Sequence, residues 1–423
     1  MRKSAWIIAI AATLIAGGTA LAQDISTASD ETRYLLDTAL FVFAGLAAVL
    51  FVFGLGLRDV GLARTQHAPA VCLRTIGLVG VGAFSFWLVG YNLIHMVEAG
   101  GFLGAFEPWR PNDVDPMAVG RASGSVWFFQ MGLAVIPAAI VSSAVSERVK
   151  TWPFILFAAA MAGLIYPIVA AWVWGGGYFA EVWRTADFGG AAVIHMTGGA
   201  AALAGALVIG PRPGRYHEDG PRPAASTALP LSAFAAGFIL TAWIVILAGK
   251  LGSFSSIEPA ISLGVISTNV VVAVAGAVLA ALFLTQIVYH RAGLVTVINA
   301  VIAGLVSVSA DPLHPALWQA AMVGAVGGVI VTVAPPFLDR FRIDDAGFVI
   351  PAHLLCGIWA MMIMPWYNPD ASLPGQLIGA GAIAVFAFSL SALFWVALKY
   401  SLGVRLRSDE DVSGGIGDAR ISD

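Results

Sequence analysis

Apolar residues run along most of this chain in long blocks separated by short polar connections. Eleven blocks reach or approach the ~20 helical residues that cross a hydrocarbon core. They span 34–57, 72–97, 124–146, 152–173, 188–209, 227–249, 262–287, 293–310, 316–338, 347–365 and 375–402. The pattern predicts an all-α membrane protein of eleven transmembrane helices. The longest polar connections, 98–123 and 210–226, and the tail 404–423 are each too short to build a core of their own. Small-residue runs such as Gly198-Gly199-Ala200-Ala201-Ala202 and Gly324-Ala325-Val326-Gly327-Gly328 let helix backbones approach closely in lipid, so a tight bundle is expected.

Before the first block, Arg2 and Lys3 precede an apolar stretch from Ala5 to Ala16 and a small-residue site, Ala20-Leu21-Ala22. This is the layout of a cleaved secretory signal peptide over 1–22, with an uncleaved first helix as the alternative. Its removal leaves a membrane domain, 23–403, and a tail, 404–423, with the mature N-terminus outside a bacterial inner membrane. Eleven crossings then put the C-terminus inside. Fifteen of the 22 lysines and arginines fall on the cytoplasmic side in that arrangement, Arg33, Arg110, Arg121, Arg184 and Lys250 fall opposite, and Arg2 and Lys3 belong to the signal peptide. Such a positive-inside bias supports the orientation.

Composition removes other classes. With 59% hydrophobic and 11% charged residues, the chain is no soluble globular enzyme. A net charge of −3 offers no basic field for nucleic acid, and two cysteines, Cys72 and Cys356, give no disulfide framework.

Titratable residues inside spans are costly and mark function. Two histidines qualify. His195 follows Asp187 by eight residues in the fifth segment, and His353 follows Asp345 by eight residues in the tenth. Five segments separate the copies, so the two helices enter from opposite faces, as in an inverted five-helix repeat with its site near the midplane. Each Asp caps the positive end of its helix. Eight residues carry each imidazole about 12 Å below its own surface, and a core of about 30 Å leaves roughly 6 Å between them. The rings are therefore within reach of each other. Isolated core histidines bonded to backbone carbonyls are the plain alternative. A bis-histidine haem or metal site lacks accompanying Cys, Asp or Glu, and a proton relay lacks intramembrane carboxylates. A neutral imidazole pair shares one proton and still offers hydrogen bonds to a small polar molecule, and ammonia fits.

These residues resemble the ammonium transporter family (Amt/Mep/Rh) from the first segment to the eleventh. The resemblance rests on Trp174-Gly175-Gly176-Gly177 with Asp187-Phe188-Gly189-Gly190, on Phe129-Gln130 followed by Ser146-Glu147-Arg148, and on Ile343-Asp344-Asp345 leading to His353-Leu354-Leu355-Cys356-Gly357-Ile358-Trp359. It implies a homotrimer with one path per subunit, a conduit of His195 and His353, outer recruitment of ammonium by Trp174 through cation–π attraction, and an entrance shaped by Asp187. It implies no cofactor, no metal and no catalytic residue.

The chain also departs from the family. Two stacked Phe rings usually close the outer mouth, but their positions here hold Leu133 and, in the stretch headed by Trp243, Ile246. An aliphatic constriction of Leu133, Ile246 and Trp243 is expected in their place. The serine that ends the second stretch is replaced by Lys250. Either its ammonium group reaches Trp174 and occupies the cation site as a tethered plug, or it snorkels to water. The resemblance allows a PII-type signal protein as a partner, but beyond Gly403-Val404-Arg405-Leu406 the tail turns acidic and leaves the family pattern, which puts that docking in doubt. The reading is ammonium or ammonia transport, with a non-conducting or weakly conducting ammonium sensor, its outer site occupied by Lys250, as the alternative.

Overall fold

The computed structural model describes residues 29–222 and 226–407. The signal peptide expected over 1–22 and the acidic tail beyond Arg407 lie outside the described residues. Among the described residues, eleven apolar helices follow one another: α1 Asp30–Leu62, α2 Thr65–His95, α3 Ser123–Ala144, α4 Thr151–Glu181, α5 Ala191–Ile209, α6 Leu229–Lys250, α7 Ile257–Tyr289, α8 Leu294–Val308, α9 Leu317–Arg340, α10 Ile350–Trp366 and α11 Leu373–Ser401. Nine are long and apolar enough to cross a membrane; α8 and α10 are shorter than the segments 293–310 and 347–365 foresaw. Their residues are mostly buried. A helix enclosed by protein need not match the hydrocarbon thickness, because its end groups are satisfied by neighbouring chain and not by lipid headgroups.

The packing partners recur with a shift of five helices. α1 lies on α3 as α6 lies on α8, and α2 lies on α4 as α7 lies on α9, while α1 and α6 form the most extensive contact between the halves. Glycines permit the closest of these approaches: on α7 and α9, Gly276, Gly324 and Gly328 each face the backbone of the opposing helix. α5, α3 and α4 are the most enclosed, and α2, α7 and α11 turn most of their surface outward.

Several charges expected in solvated loops are instead enclosed. α1 continues to Leu62 and α2 begins at Thr65, so Arg58, Asp59 and Arg74 lie inside helices and are buried. Arg58 donates to Asp59 and to Asn299 Oδ1 (3.2 Å), Asp59 accepts a short hydrogen bond from Ser143, and Arg74 donates to Ser146 Oγ at 3.3 Å. On the same face, Asp344 receives Arg212 at 2.9 Å, Glu147 receives Arg64 at 2.7 Å, and Asp339 receives Arg215 at 2.8 Å. Burial alone would raise the Asp344 carboxyl, but the hydrogen bond from Arg212 and the charges of Arg148 and Arg212 outweigh it and hold it at about 2. The first tail residues join this network: Lys150 N–H donates to Val404 O and Leu406 N–H to Arg148 O, both at 2.9 Å, and Arg405 donates to the carbonyls of Ile209 and Pro211. One face of the molecule is thus an arginine-rich lattice that ties four connections and the first tail residues together.

Candidate functional site

Asp187 stands just before α5 and its carboxylate accepts four backbone N–H groups, from Gly190, Ala191, Ala192 and Val193, at 2.8 to 2.9 Å. These are the donors a helix start leaves without partners. Gly190 adopts φ +92°, and a Cβ there would lie 2.8 Å from the Ile194 side chain, so the turn that brings the amides onto one carboxylate requires glycine. Burial pushes the Asp187 carboxyl above its ordinary value, and the four amides oppose that rise. The first turn of α5 is wide: Ile194 and His195 both donate to the carbonyl of Gly190. Such π turns concentrate at functional positions because they re-aim a side chain.

The second copy repeats the device. Asp345 accepts from Ile350 N–H at 2.7 Å, and residues Ile350–Leu355 form a π turn before α10 continues. Burial raises the Asp345 carboxyl to about 6 against the amides of Ile350 and Val349 and the charge of Arg58. Arg212, which follows α5, pairs with Asp344, which precedes α10. The end of one helix therefore lies beside the start of the other, and they enter from opposite faces.

Where they pass, His195 Nδ1 and His353 Nδ1 are 3.0 Å apart, their ring centroids are 5.0 Å apart, and both residues are completely buried. This contact demands opposite tautomers. One Nδ1 carries the proton and donates, and the other accepts while its proton sits on Nε2. Along the pair, one Nε2 is then an acceptor and the other an N–H donor, and neither has a hydrogen-bond partner among the described residues. Two glycines let the helices come this close. A Cβ on Gly199 would lie 2.6 Å from Leu354 N, and one on Gly357 would lie 2.5 Å from Met196 Cγ. Each glycine is four residues after its own histidine, so the crossing is symmetric. Gly199→Ala is expected to lower the thermal midpoint, at a cost of about 2 kcal/mol, because the obstacle is backbone and not a movable side chain. Gly80→Ala, whose added Cβ meets open space, leaves the midpoint unchanged. Equal midpoints for both variants would show that the crossing has slack.

At the other end of the site, the Trp174 indole donates to the backbone carbonyl of Asp187 at 2.6 Å, which fixes the ring beside the start of α5. Lys250 Nζ lies 3.3 Å from the centroid of that ring. The lysine is the last residue of α6 and only part-exposed. Its ammonium group faces the indole and does not extend into water, because the ring comes from α4 within reach of the α6 end. Leu133 and Ile246 are completely buried, as is Trp243. Trp243 is brought to the histidines: its ring is 4.5 Å from that of His195, and its indole donates to Ser309 Oγ at 2.9 Å.

Sequence reasoning missed Phe51 and Ser309 as neighbours of the site, and it quoted Phe129 only as part of a motif. Phe51 packs 5.1 Å from Trp243 and 6.3 Å from His195, and Phe129 closes on Gly249 beside Lys250. An aromatic residue in an apolar span carries no pattern that separates it from ordinary core. Among the described residues, no group of three or more His, Cys, Asp or Glu side chains is placed to hold a metal ion.

The profile described as the Ammonium Transporter Family matches residues 39–416. A Synechocystis sp. protein provisionally named an ammonium transporter is 30% identical over 387 residues, which covers 90% of this chain and 87% of the relative. Ammonium transporter Amt2 of Archaeoglobus fulgidus is 27% identical over 88% of this chain and 85% of its own length. Among solved structures, one titled Sensor Amt Protein superposes with a TM-score of 0.84 at 24% identity, covering 92% of this chain and 99% of that one. Candida albicans Mep2 superposes with a TM-score of 0.79 at 20% identity, covering 90% and 89%. The chain is a multi-pass membrane protein, and it belongs to the ammonium transporter family.

Proposed function

We propose that this protein passes ammonium nitrogen across the bilayer along the His195–His353 pair, at a rate held low by Lys250. The observation that carries this reading is the contact between two completely buried imidazoles at 3.0 Å, which offers a donor and an acceptor in sequence along an apolar interior. Trp174 recruits the cation, Asp187 shapes the entrance, Leu133, Ile246 and Trp243 form the dry constriction, and ammonia crosses between the imidazoles. The arginine-rich face is the cytoplasmic one. On this reading the chain makes eleven crossings, with the N-terminus outside and the C-terminus inside a bacterial inner membrane. Subunits assemble as a homotrimer with one path each, and no cofactor takes part. A PII-type signal protein stays outside this reading, since the tail leaves the family pattern.

A second reading is favoured by one observation, the Lys250 ammonium group seated on Trp174. A site already filled by a tethered cation suits a sensor that binds ammonium without conducting it, and one structural neighbour is titled a sensor. Flux in proteoliposomes with an electrical readout separates the two. Wild-type protein is expected to conduct ammonium above the empty-liposome leak, and His195→Ala and His353→Ala to lose most of that flux. Saturable binding with no flux, in both wild type and Lys250→Ser, would overturn conduction and leave the sensor.

A further inference from the structure

The arginine-rich face holds a cavity of about 610 Å³, lined in part by Phe348 of the turn that leads to His353. Ammonia is about the size of water, which occupies ≈ 30 Å³. A volume on the scale of hundreds of cubic ångströms is instead that of a small-molecule site. The ends of α7 and α9, the start of α8 and the approach to α10 enclose it. Its lining includes Tyr289, Arg291, Thr296, Asp339, Arg340 and Phe348.

The charge balance of the lining is one-sided, with Arg291 and Arg340 exposed at its rim. Asp339, the lining carboxylate, is already taken by Arg215 at 2.8 Å and by the Tyr216 hydroxyl at 2.9 Å. Among the described residues, the guanidinium groups of Arg291 and Arg340 make no ion pair and no hydrogen bond. The backbone presents this lining through unusual turns: His290, which turns the chain from Tyr289 to Arg291, has φ 54°, and Phe348 has φ 56°. Two uncommitted guanidinium groups, each a planar fork of donors, match the oxygens of a phosphate. Beside them, Tyr289 and Phe348 supply ring faces for an organic body.

We propose that this cavity is a binding site for a phosphate ester, whose phosphate is held by Arg291 and Arg340 and whose organic part lies against Tyr289 and Phe348. The same chemistry is carried by a soluble nucleotide and by an anionic lipid headgroup. Both sources are available on this face, because α7 and α9 expose Phe283, Ile287, Val333 and Phe337 just above the cavity.

The test uses full-length protein in phosphatidylcholine nanodiscs, titrated calorimetrically with AMP and with inorganic phosphate. Saturable AMP binding is expected, weakened about tenfold or more in the Arg291→Ala/Arg340→Ala double variant. Arg222→Ala removes an exposed arginine outside the lining and is expected to leave the affinity unchanged. If the occupant is a lipid, adding phosphatidylglycerol to the nanodiscs competes AMP away from wild type, or in the absence of AMP binding is retained by wild type more strongly than by the double variant. The proposal is overturned if AMP, phosphate and phosphatidylglycerol all fail to bind saturably, or if the double variant binds each as well as wild type does. Binding is read without flux, so its failure leaves the histidine path untouched.

Discussion

Replacing Lys250 with serine is expected to raise ammonium flux at subsaturating concentration, and Lys250→Arg to leave it low. The Lys250 ammonium group sits 3.3 Å from the Trp174 ring centroid, the place at which the proposed path receives an arriving cation. Cation–π attraction at a partly desolvated site is worth about 0.5–2 kcal/mol. That range corresponds to a twofold to thirtyfold gain in accessible sites once the tethered competitor is removed, and Trp174 keeps its own position because the Asp187 carbonyl still accepts its indole N–H. Methylammonium uptake into proteoliposomes at matched protein density measures the effect. Identical, appreciable rates in wild type, Lys250→Ser and Lys250→Arg would mean that the lysine vacates the ring freely and limits nothing.

Asp187→Ala is expected to be the most damaging single change to stability. One carboxylate satisfies four buried backbone N–H groups, and alanine leaves all four without a partner. A buried donor without a partner costs about 1–3 kcal/mol. Some re-solvation from the nearby surface reduces the sum, so a loss on the order of 4 kcal/mol is expected. Asp187→Asn keeps the volume and one acceptor oxygen but turns an amide NH₂ toward backbone donors, and it falls between alanine and wild type. Thermal unfolding followed by tryptophan fluorescence orders the three proteins. An alanine variant that melts with wild type would remove the capping argument and, with it, the reason for placing the Trp174 ring by way of this turn.

The helical plan was legible because apolar length is a local property. The segments 124–146 and 227–249 meet helices at Ser123–Ala144 and Leu229–Lys250. The closeness of His195 and His353 was also legible, because the Asp-to-His spacing is written twice and the count of intervening segments reverses one copy. What escaped depends on chain brought from far away. For Lys250 the sequence left two places open, the Trp174 ring and the water beyond the helix end, and only the approach of Trp174 from α4 selects the ring. Arg58 and Arg74 read as loop cations because charge ends a hydropathy block, yet Asp59, Asn299 and Ser146 let the helices carry them inward. Phe51 and Ser309 come from α1 and from the end of α8, and no local signal joins them to a histidine on α5.

The glycine crossing of α5 and α10 also bears on energetics of transport. Gly199 packs on Leu354, Gly357 packs on Met196 and Arg212 clasps Asp344 at one end, so the two helices that carry the histidines are held together at their crossing and beyond it. A carrier that alternates between inward-open and outward-open states needs its halves to rock in order to couple an uphill substrate to a downhill one. On the conducting reading proposed above, a crossing fastened in this way lets nitrogen run only with its own gradient, and accumulation inside a cell then comes from trapping by later chemistry.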